Sequence, residues 1–328
     1  MTEKNVVQAL HDTLWDLMKA DDRVLVLGED VGARGGVFRV TAGFLQEFGE
    51  ERVIDTPLAE SSIVGVAIGM ALRGLRPVAE IQFADFIHPA FDQLVSEAAR
   101  IRYRSNGDWG CPLVVRAPYG GGVHGALYHS QSVESFYGHV PGLKVVVPAT
   151  PHDARGMLVA AVRDPDPVLF LEHKKTYRLI RGEVPDELYE VPLGKAEVKR
   201  EGEDLTCVSY GLMLHHCLEA ARRLEEEEGF SCEVVDLRTI SPLDRATVLE
   251  SVRKTGTAMV VYEDNRTYGA GAEVAAMIGE ELLFDLDAPV VRVGGPDIPA
   301  MPFSGPLEHF YLPDPERIYD RMRELAKF

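Results

Sequence analysis

At 328 residues, with 46% apolar and 26% charged side chains, the chain has the profile of a folded globular protein with enough material for two cores. Its 52 acidic against 34 basic residues give a formal charge of -18, which argues against nucleic acid and anionic membrane as partners. Cys111, Cys207, Cys217 and Cys232 stand far apart without a C-x-x-C pair, so neither a disulfide framework nor a zinc site is indicated.

The opening "MTEKNVVQALHDTLWDLMKA" reads as a mixed-charge helix and lacks the apolar core of a signal peptide. No run approaches the ~18 apolar residues of a membrane helix. Reduced thiols and the absence of a targeting signal make the cytoplasm the expected compartment. "RVLVLGEDVG" is an apolar strand buried on both faces and closed by a glycine-rich loop. "SSIVGVAIGMALRG" is apolar around its whole circumference, so it is a helix that is either buried or packed against another subunit. "RPVAEIQFADF" reads as a strand, "HPAFDQLVSEAARIRYRS" as an amphipathic helix, and "CPLVVRAP" and "LKVVVPAT" as strands. "PHDARGMLVAAVRD" and "PVLFLEH" follow as helix and strand, so the alternation predicts a parallel sheet with helices on its faces.

The period breaks in a charged, proline-bearing stretch that ends near Leu205, and alternation then resumes. The expected organisation is a first doubly wound α/β domain over 1–185, a linker over 186–204, and a second, smaller doubly wound domain over 205–328. Strands "LTCVSYG", "SCEVVDLR", "AMVVYED" and "PVVRVGG" alternate there with helices "MLHHCLEAARRLEEEEG", "RATVLESVRKTG" and "AGAEVAAMIGEELLF".

Gly120, Gly122 and Gly125 satisfy G-x-G-x-x-G after a strand, the dinucleotide fingerprint. The polar "ALYHSQSVES" that follows is not the hydrophobic helix such a motif opens, so a nicotinamide cofactor is not expected. Glu60 stands where "DTPLA" enters the apolar helix. A first-turn carboxylate is ordinarily accounted for by the helix dipole. Beside a nearly featureless buried helix, however, desolvation would raise its proton affinity and suit it to hold a proton against a ring nitrogen. His124 and His129 both lie in "GGGVHGALYHSQSVESF", where glycines allow backbone to approach a ligand and a histidine can exchange protons near neutral pH. Composition does not separate the two.

"LGEDVG", "DTPLAE", "EIQFADF", "ALYHSQS", "PGLKVVVPATP", "DPDPVLFLEHKKTYR" and "VVDLRTISPLD", in order along nearly the whole chain, resemble the beta subunits of the thiamine-dependent 2-oxo acid dehydrogenases. "ALYHSQS" is closer to the branched-chain, 2-oxoisovalerate, members than to the pyruvate enzymes. The resemblance implies an N-terminal thiamine pyrimidine-binding domain and a C-terminal transketolase-like domain. It gives Glu60 the role of bonding the pyrimidine ring nitrogen of thiamine diphosphate, and places Leu58, Gln82 and Phe86 in the pocket around that ring. The family frequently has tyrosine at the position of Phe86, so any role of that hydroxyl is lost here while stacking survives. Proton handling during acyl transfer to a lipoyl group falls to His129, not His124.

The diphosphate anchor of this family, "GDG" with a later asparagine, is missing, and "GDWG" at Gly107 does not fit it. The resemblance therefore assigns Mg2+ and the diphosphate mainly to an alpha subunit, in an α2β2 heterotetramer that serves a lipoyl-bearing acyltransferase core. It also implies a potassium ion held by backbone around Leu113, Asp164 and Asp166. The expected activity is decarboxylation of a branched-chain 2-oxo acid with reductive acylation of the lipoyl group. A pyruvate or acetoin enzyme, or an assembly subunit without a catalytic role, are the alternatives.

Overall fold

The computed structural model describes all 328 residues, Met1–Phe328. The chain divides between Met1–Tyr119 with Phe136–Leu193, and Gly120–Ser135 with Gly194–Phe328. The elements of the first unit are β1 (Thr2–Asn5), α1 (Val6–Ala20), β2 (Val24–Gly28), α2 (Phe44–Phe48), β3 (Val53–Asp55), α3 (Glu60–Leu72), β4 (Arg76–Glu80), α4 (Ile101–Arg104) and β5 (Val114–Tyr119). The chain returns to this unit through α5 (Glu134–Gly138) and continues with β6 (Lys144–Val146), α6 (Pro151–Arg163), β7 (Val168–His173), α7 (Thr176–Leu179) and β8 (Arg181–Val184).

Six parallel strands lie in the order β6-β7-β5-β4-β2-β3. Every residue of β2, β5 and β7 is buried, the charged Arg116 and Glu172 along with their apolar neighbours. α1 and α6 share one side of this core through Leu10, Leu14, Leu17, Met157, Leu158 and Val162. Asn5 starts α1 with a capping box: its side chain accepts from the Gln8 amide, and the Gln8 side chain accepts from the Asn5 amide. The residues before it, expected as helix, form β1, which pairs antiparallel with β8.

One helical expectation changes in the fold. The segment 88–104 is not one regular helix: a widened π-type turn over Gln93–Glu97 and a tight turn over Ala98–Arg100 precede α4. Ala90, Leu94, Ala98 and Ile101, at helical spacing, are buried together with Ala99. α3 buries Ile63, Val64, Ala67, Ile68 and Ala71, while Ser62, Gly65, Val66, Gly69 and Leu72 are exposed on this chain.

The second unit contains β9 (Glu197–Arg200), β10 (Leu205–Ser209), α8 (Leu212–Glu228), β11 (Cys232–Asp236), β12 (Thr239–Ser241), α9 (Arg245–Thr255), β13 (Ala258–Asn265), α10 (Ala270–Leu282), β14 (Val291–Gly295), α11 (Gly305–Tyr311) and α12 (Pro315–Ala326). Its sheet order is β14-β13-β10-β11-β9, parallel except for β9. β9 lies inside the span expected as linker, and the boundary between the units falls at Leu193 and Gly194. α12, capped by Asp314 with Pro315 at its first position, packs on α8. All four cysteines are buried free thiols, and no helix is long and apolar enough to cross a membrane.

Candidate active site

In the first sheet the chain leaves β2 toward β3 on one side and, after β4, continues to β5 on the other. That divergence makes the carboxyl ends of β2 and β4 a topological switch point, the usual ligand position in a doubly wound sheet. Glu29 follows β2, Gln82 follows β4 by one intervening residue, and Glu60 begins α3 after β3. The Gln82 side-chain amide donates to the Glu29 carbonyl at 3.4 Å. Burial and the negative charges of Asp30 and Glu60 raise the proton affinity of the Glu29 carboxyl. The fold thus brings Glu29, Glu60 and Gln82 to one end of the sheet. Glu29 was not singled out in the sequence, although "LGED" places it directly after a buried strand at the switch point.

Three further features suit this end of the sheet to a heteroaromatic ring. Leu58, two residues ahead of Glu60, is 71% exposed and offers an apolar face. The hydroxyl of Thr56 is buried without a hydrogen-bond partner, a polar atom left available in "DTPLAE". Phe86 is half-buried and meets Phe83 edge to face at 5.8 Å, and Phe83 meets Phe38 at 5.6 Å. Beneath them runs a buried charge network: Arg116 donates to Glu172 at 2.6 and 2.7 Å and to Glu80 at 2.8 Å, and the Tyr177 hydroxyl donates to Glu172 at 2.6 Å. Burial drives the Glu80 carboxyl up, with Arg116 opposing and Glu172 adding to the rise.

Leu113, Asp164 and Asp166 come together, but elsewhere. A Cβ on Gly110 would lie 2.3 Å from the Pro165 carbonyl oxygen, and the Leu113 carbonyl accepts from the Val168 amide at 2.9 Å. Val114 opens β5 and pairs with Val168, so this cluster sits at the amino edge of the sheet, opposite the edge that carries Glu29 and Gln82. Lys144 and Arg102 bind the carboxylates of Asp164 and Asp166 at 2.7 and 2.6 Å, and the Arg76 guanidinium donates to the Asp164 carbonyl at 3.4 Å.

His124 and His129 belong to the second unit, on the loop Gly120–Ser135. The structure separates them. The His124 imidazole is tied to the buried Glu308 carboxylate at 2.7 Å. His129 is exposed at the end of the tight turn Ala126–Tyr128, where its amide donates to the Ala126 carbonyl at 3.5 Å. Further buried carboxyls surround the loop: Glu134 accepts from the Tyr210 hydroxyl at 2.8 Å, and Asp264 from the Ser135 hydroxyl at 2.5 Å. Burial first, and the Asp264 charge next, push the Glu134 carboxyl up to about 8.

Residues 2–180 match the family "Transketolase, pyrimidine binding domain" and residues 194–318 match "Transketolase, C-terminal domain". Over the full length of both chains the protein is 58% identical to the 2-oxoisovalerate dehydrogenase subunit beta of Bacillus subtilis (strain 168). It belongs to the beta subunits of the thiamine-dependent 2-oxo acid dehydrogenases. This beta-subunit chain is also 50% identical, again over all 328 residues, to the pyruvate dehydrogenase E1 component subunit beta of the same organism. Its fold resembles that of a split-gene transketolase solved as an inactive beta4 tetramer, with a TM-score of 0.78 and 26% identity over 98% of each chain. The family is thiamine-dependent, and thiamine diphosphate is the cofactor its beta subunits help to bind.

Proposed function

We propose that this beta subunit, with an alpha partner, decarboxylates a branched-chain 2-oxo acid of the 2-oxoisovalerate type and passes the acyl group to a lipoyl arm. The observation that carries this reading is the full-length 58% identity to a 2-oxoisovalerate dehydrogenase subunit beta, against 50% for the pyruvate enzyme of the same organism. The latter figure keeps pyruvate as the second substrate reading.

Thiamine diphosphate supplies the electron sink for loss of carbon dioxide when bound. Glu60 holds a proton at the pyrimidine ring nitrogen. Glu29 stands beside this carboxylate, and its own proton affinity is raised by burial and by the charges of Asp30 and Glu60. Leu58 and Phe86 would line the pocket around that ring, together with Gln82, which is braced on the Glu29 carbonyl. His129 moves a proton during acyl transfer to the lipoyl group, the role that the resemblance at "ALYHSQS" gives it in preference to His124. The alpha subunit contributes Mg2+ and the diphosphate site, since this sequence holds no "GDG" segment, and the assembly is an α2β2 heterotetramer docked on the acyltransferase core. Backbone oxygens around Leu113, Asp164 and Asp166 hold potassium in a structural role at the far edge of the sheet. Four free buried thiols support a reducing, cytoplasmic setting.

The test is decarboxylation of 2-oxoisovalerate and of pyruvate with thiamine diphosphate and Mg2+, by this chain alone and after co-expression with its alpha subunit. Activity only in the mixture, faster on 2-oxoisovalerate, is the expected result. A faster pyruvate reaction would move the substrate assignment. Turnover by the isolated chain would overturn the division of labour between subunits.

A further inference from the structure

Two buried carboxylates that the reaction scheme above leaves unused hold the loop that carries His129. Glu263, near the end of β13 and 2% exposed, accepts from the Gly121 amide at 2.6 Å and from the Ser132 hydroxyl at 3.2 Å. It therefore fastens both limbs of the loop. Glu308, on α11 and also 2% exposed, accepts at one oxygen from the amides of Gly122 and His124 at 2.8 and 3.2 Å. Its other oxygen meets the His124 imidazole at 2.7 Å. Charge-assisted bonds of this kind are the stronger class, and a buried carboxylate is tolerated only when so satisfied.

Between these two fastenings the backbone has little freedom. A Cβ on Gly121 would lie 2.7 Å from the Met301 methyl, and one on Gly125 would lie 2.6 Å from the His129 carbonyl oxygen. His124 and Ala126 adopt φ of 56° and 55°, a left-handed conformation that non-glycine residues hold only where the surroundings impose it. Glu308 fixes the first of these through its amide and its ring. The Gly120 amide closes the loop onto the Gln131 carbonyl at 3.1 Å.

We propose that Glu263 and Glu308 are positioning residues for His129, anchoring the Gly120–Ser135 loop so that its imidazole is presented in one geometry for acyl transfer to the lipoyl group. This rests on the reading of His129 as the acid or base of that step. The two carboxylates act through the loop backbone and touch neither substrate nor cofactor.

The test uses the assembled alpha-beta enzyme and compares reductive acylation of a lipoyl domain with decarboxylation read by an artificial electron acceptor. The readout is the ratio of the two rates, which a general loss of folding does not move. His129→Asn should lower that ratio on the order of 100-fold, the range for loss of a general acid or base. Glu308→Ala should lower it about 10-fold, as expected when a catalytic group is displaced by a fraction of an ångström. Glu308→Gln should stay within about 3-fold of the parent enzyme, because its carboxamide oxygen can still accept from both amides. The Glu308→Ala, His129→Asn double variant should fall no further than His129→Asn alone.

An unchanged ratio in Glu308→Ala, while His129→Asn lowers it, overturns the positioning role and leaves the His129 reading intact. A double variant that loses the product of both effects overturns it as well, because Glu308 would then act apart from His129. An unchanged ratio in His129→Asn overturns the reading of His129 and the positioning role with it. If Glu308→Ala does not assemble, Ser132→Ala removes one of the bonds to Glu263, and an unchanged ratio there, against an expected drop of roughly 3-fold, counts against the proposal.

Discussion

Replacing Arg116 with methionine isolates the energetics of the charge network beneath the candidate pocket. Arg116 is 1% exposed and is bound to Glu80 and Glu172, themselves almost wholly buried, while Tyr177 donates to Glu172. Methionine fills much of the same volume, so the principal loss is the positive charge, which leaves two buried carboxylates facing each other. Breaking a buried ion pair from one side costs about 3–5 kcal/mol. At roughly 2–4 °C per kcal/mol for a unit of this size, the midpoint of its unfolding should drop by about 6–20 °C at neutral pH. Scanning calorimetry of the assembled enzyme reads this directly. The triple variant with Glu80→Gln and Glu172→Gln should recover most of the loss, because no uncompensated charge then stays buried. Glu80 already has its carboxyl raised above the ordinary 4.5, and removal of Arg116 raises it further. Stability held by a raised carboxyl is complete below its unfolded value and is lost as pH climbs through the folded one. The Arg116→Met defect should accordingly shrink on acidification. A midpoint shift under about 2 °C, or a triple variant no more stable than the single one, would refute this account.

Glu60→Gln should assemble normally with the alpha subunit yet lose about 100-fold or more of its decarboxylation rate, since an amide cannot exchange the ring proton. Near-full activity in that variant would mean that the chain serves only as an assembly subunit. Gly125→Ala should lower acyl transfer more than decarboxylation, because its Cβ would lie 2.6 Å from the His129 carbonyl oxygen. Equal rates of both in the variant and its parent would show that the loop yields easily. Glu134, with Asp264, Glu263 and the Tyr210 hydroxyl around it, has its carboxyl raised from 4.5 to about 8. The second unit should therefore lose stability as pH rises from about 5 to about 9, and Glu134→Gln should flatten that slope in pH-dependent denaturant titrations.

Much of the layout could be read from local pattern. The buried runs of β2, β5 and β7, and the helices from Leu212, Arg245 and Ala270, follow from hydrophobic period and from turn residues such as Gly229 and Gly256. β1 was hidden because "TEKN" is polar and its only stabilising partner, β8, is some 180 residues away. α12 carried a legible start in Asp314 and Pro315, yet it lies beyond the last segment that the alternation explained. Glu60 stood out because a carboxylate opens an apolar helix. Glu29 did not, because its significance depends on where the sheet reverses direction, a property of strand order rather than of neighbouring residues. Likewise nothing near Gly120 announces that its loop is held by Glu263 and Glu308, 142 and 186 residues from their bonded glycines. Composition left His124 and His129 level; the resemblance at "ALYHSQS" singles out His129, and the structure ties the His124 ring to Glu308.

The placement of the Gly120–Ser135 loop in the second unit has a consequence for synthesis. Its sequence emerges from the ribosome in the middle of the first unit, but both carboxylates that fasten it emerge only after more than a hundred further residues have been made. The six parallel strands of the first sheet have all been made by His173, whereas the carboxylates that hold the histidine loop come only with β13 and α11. A nascent or truncated chain that stops before Glu308 can complete the first sheet and still lack an ordered His129. On the proposed role of His129, competence for acyl transfer would be a late event in the life of the polypeptide, gained only once nearly all of it has been made.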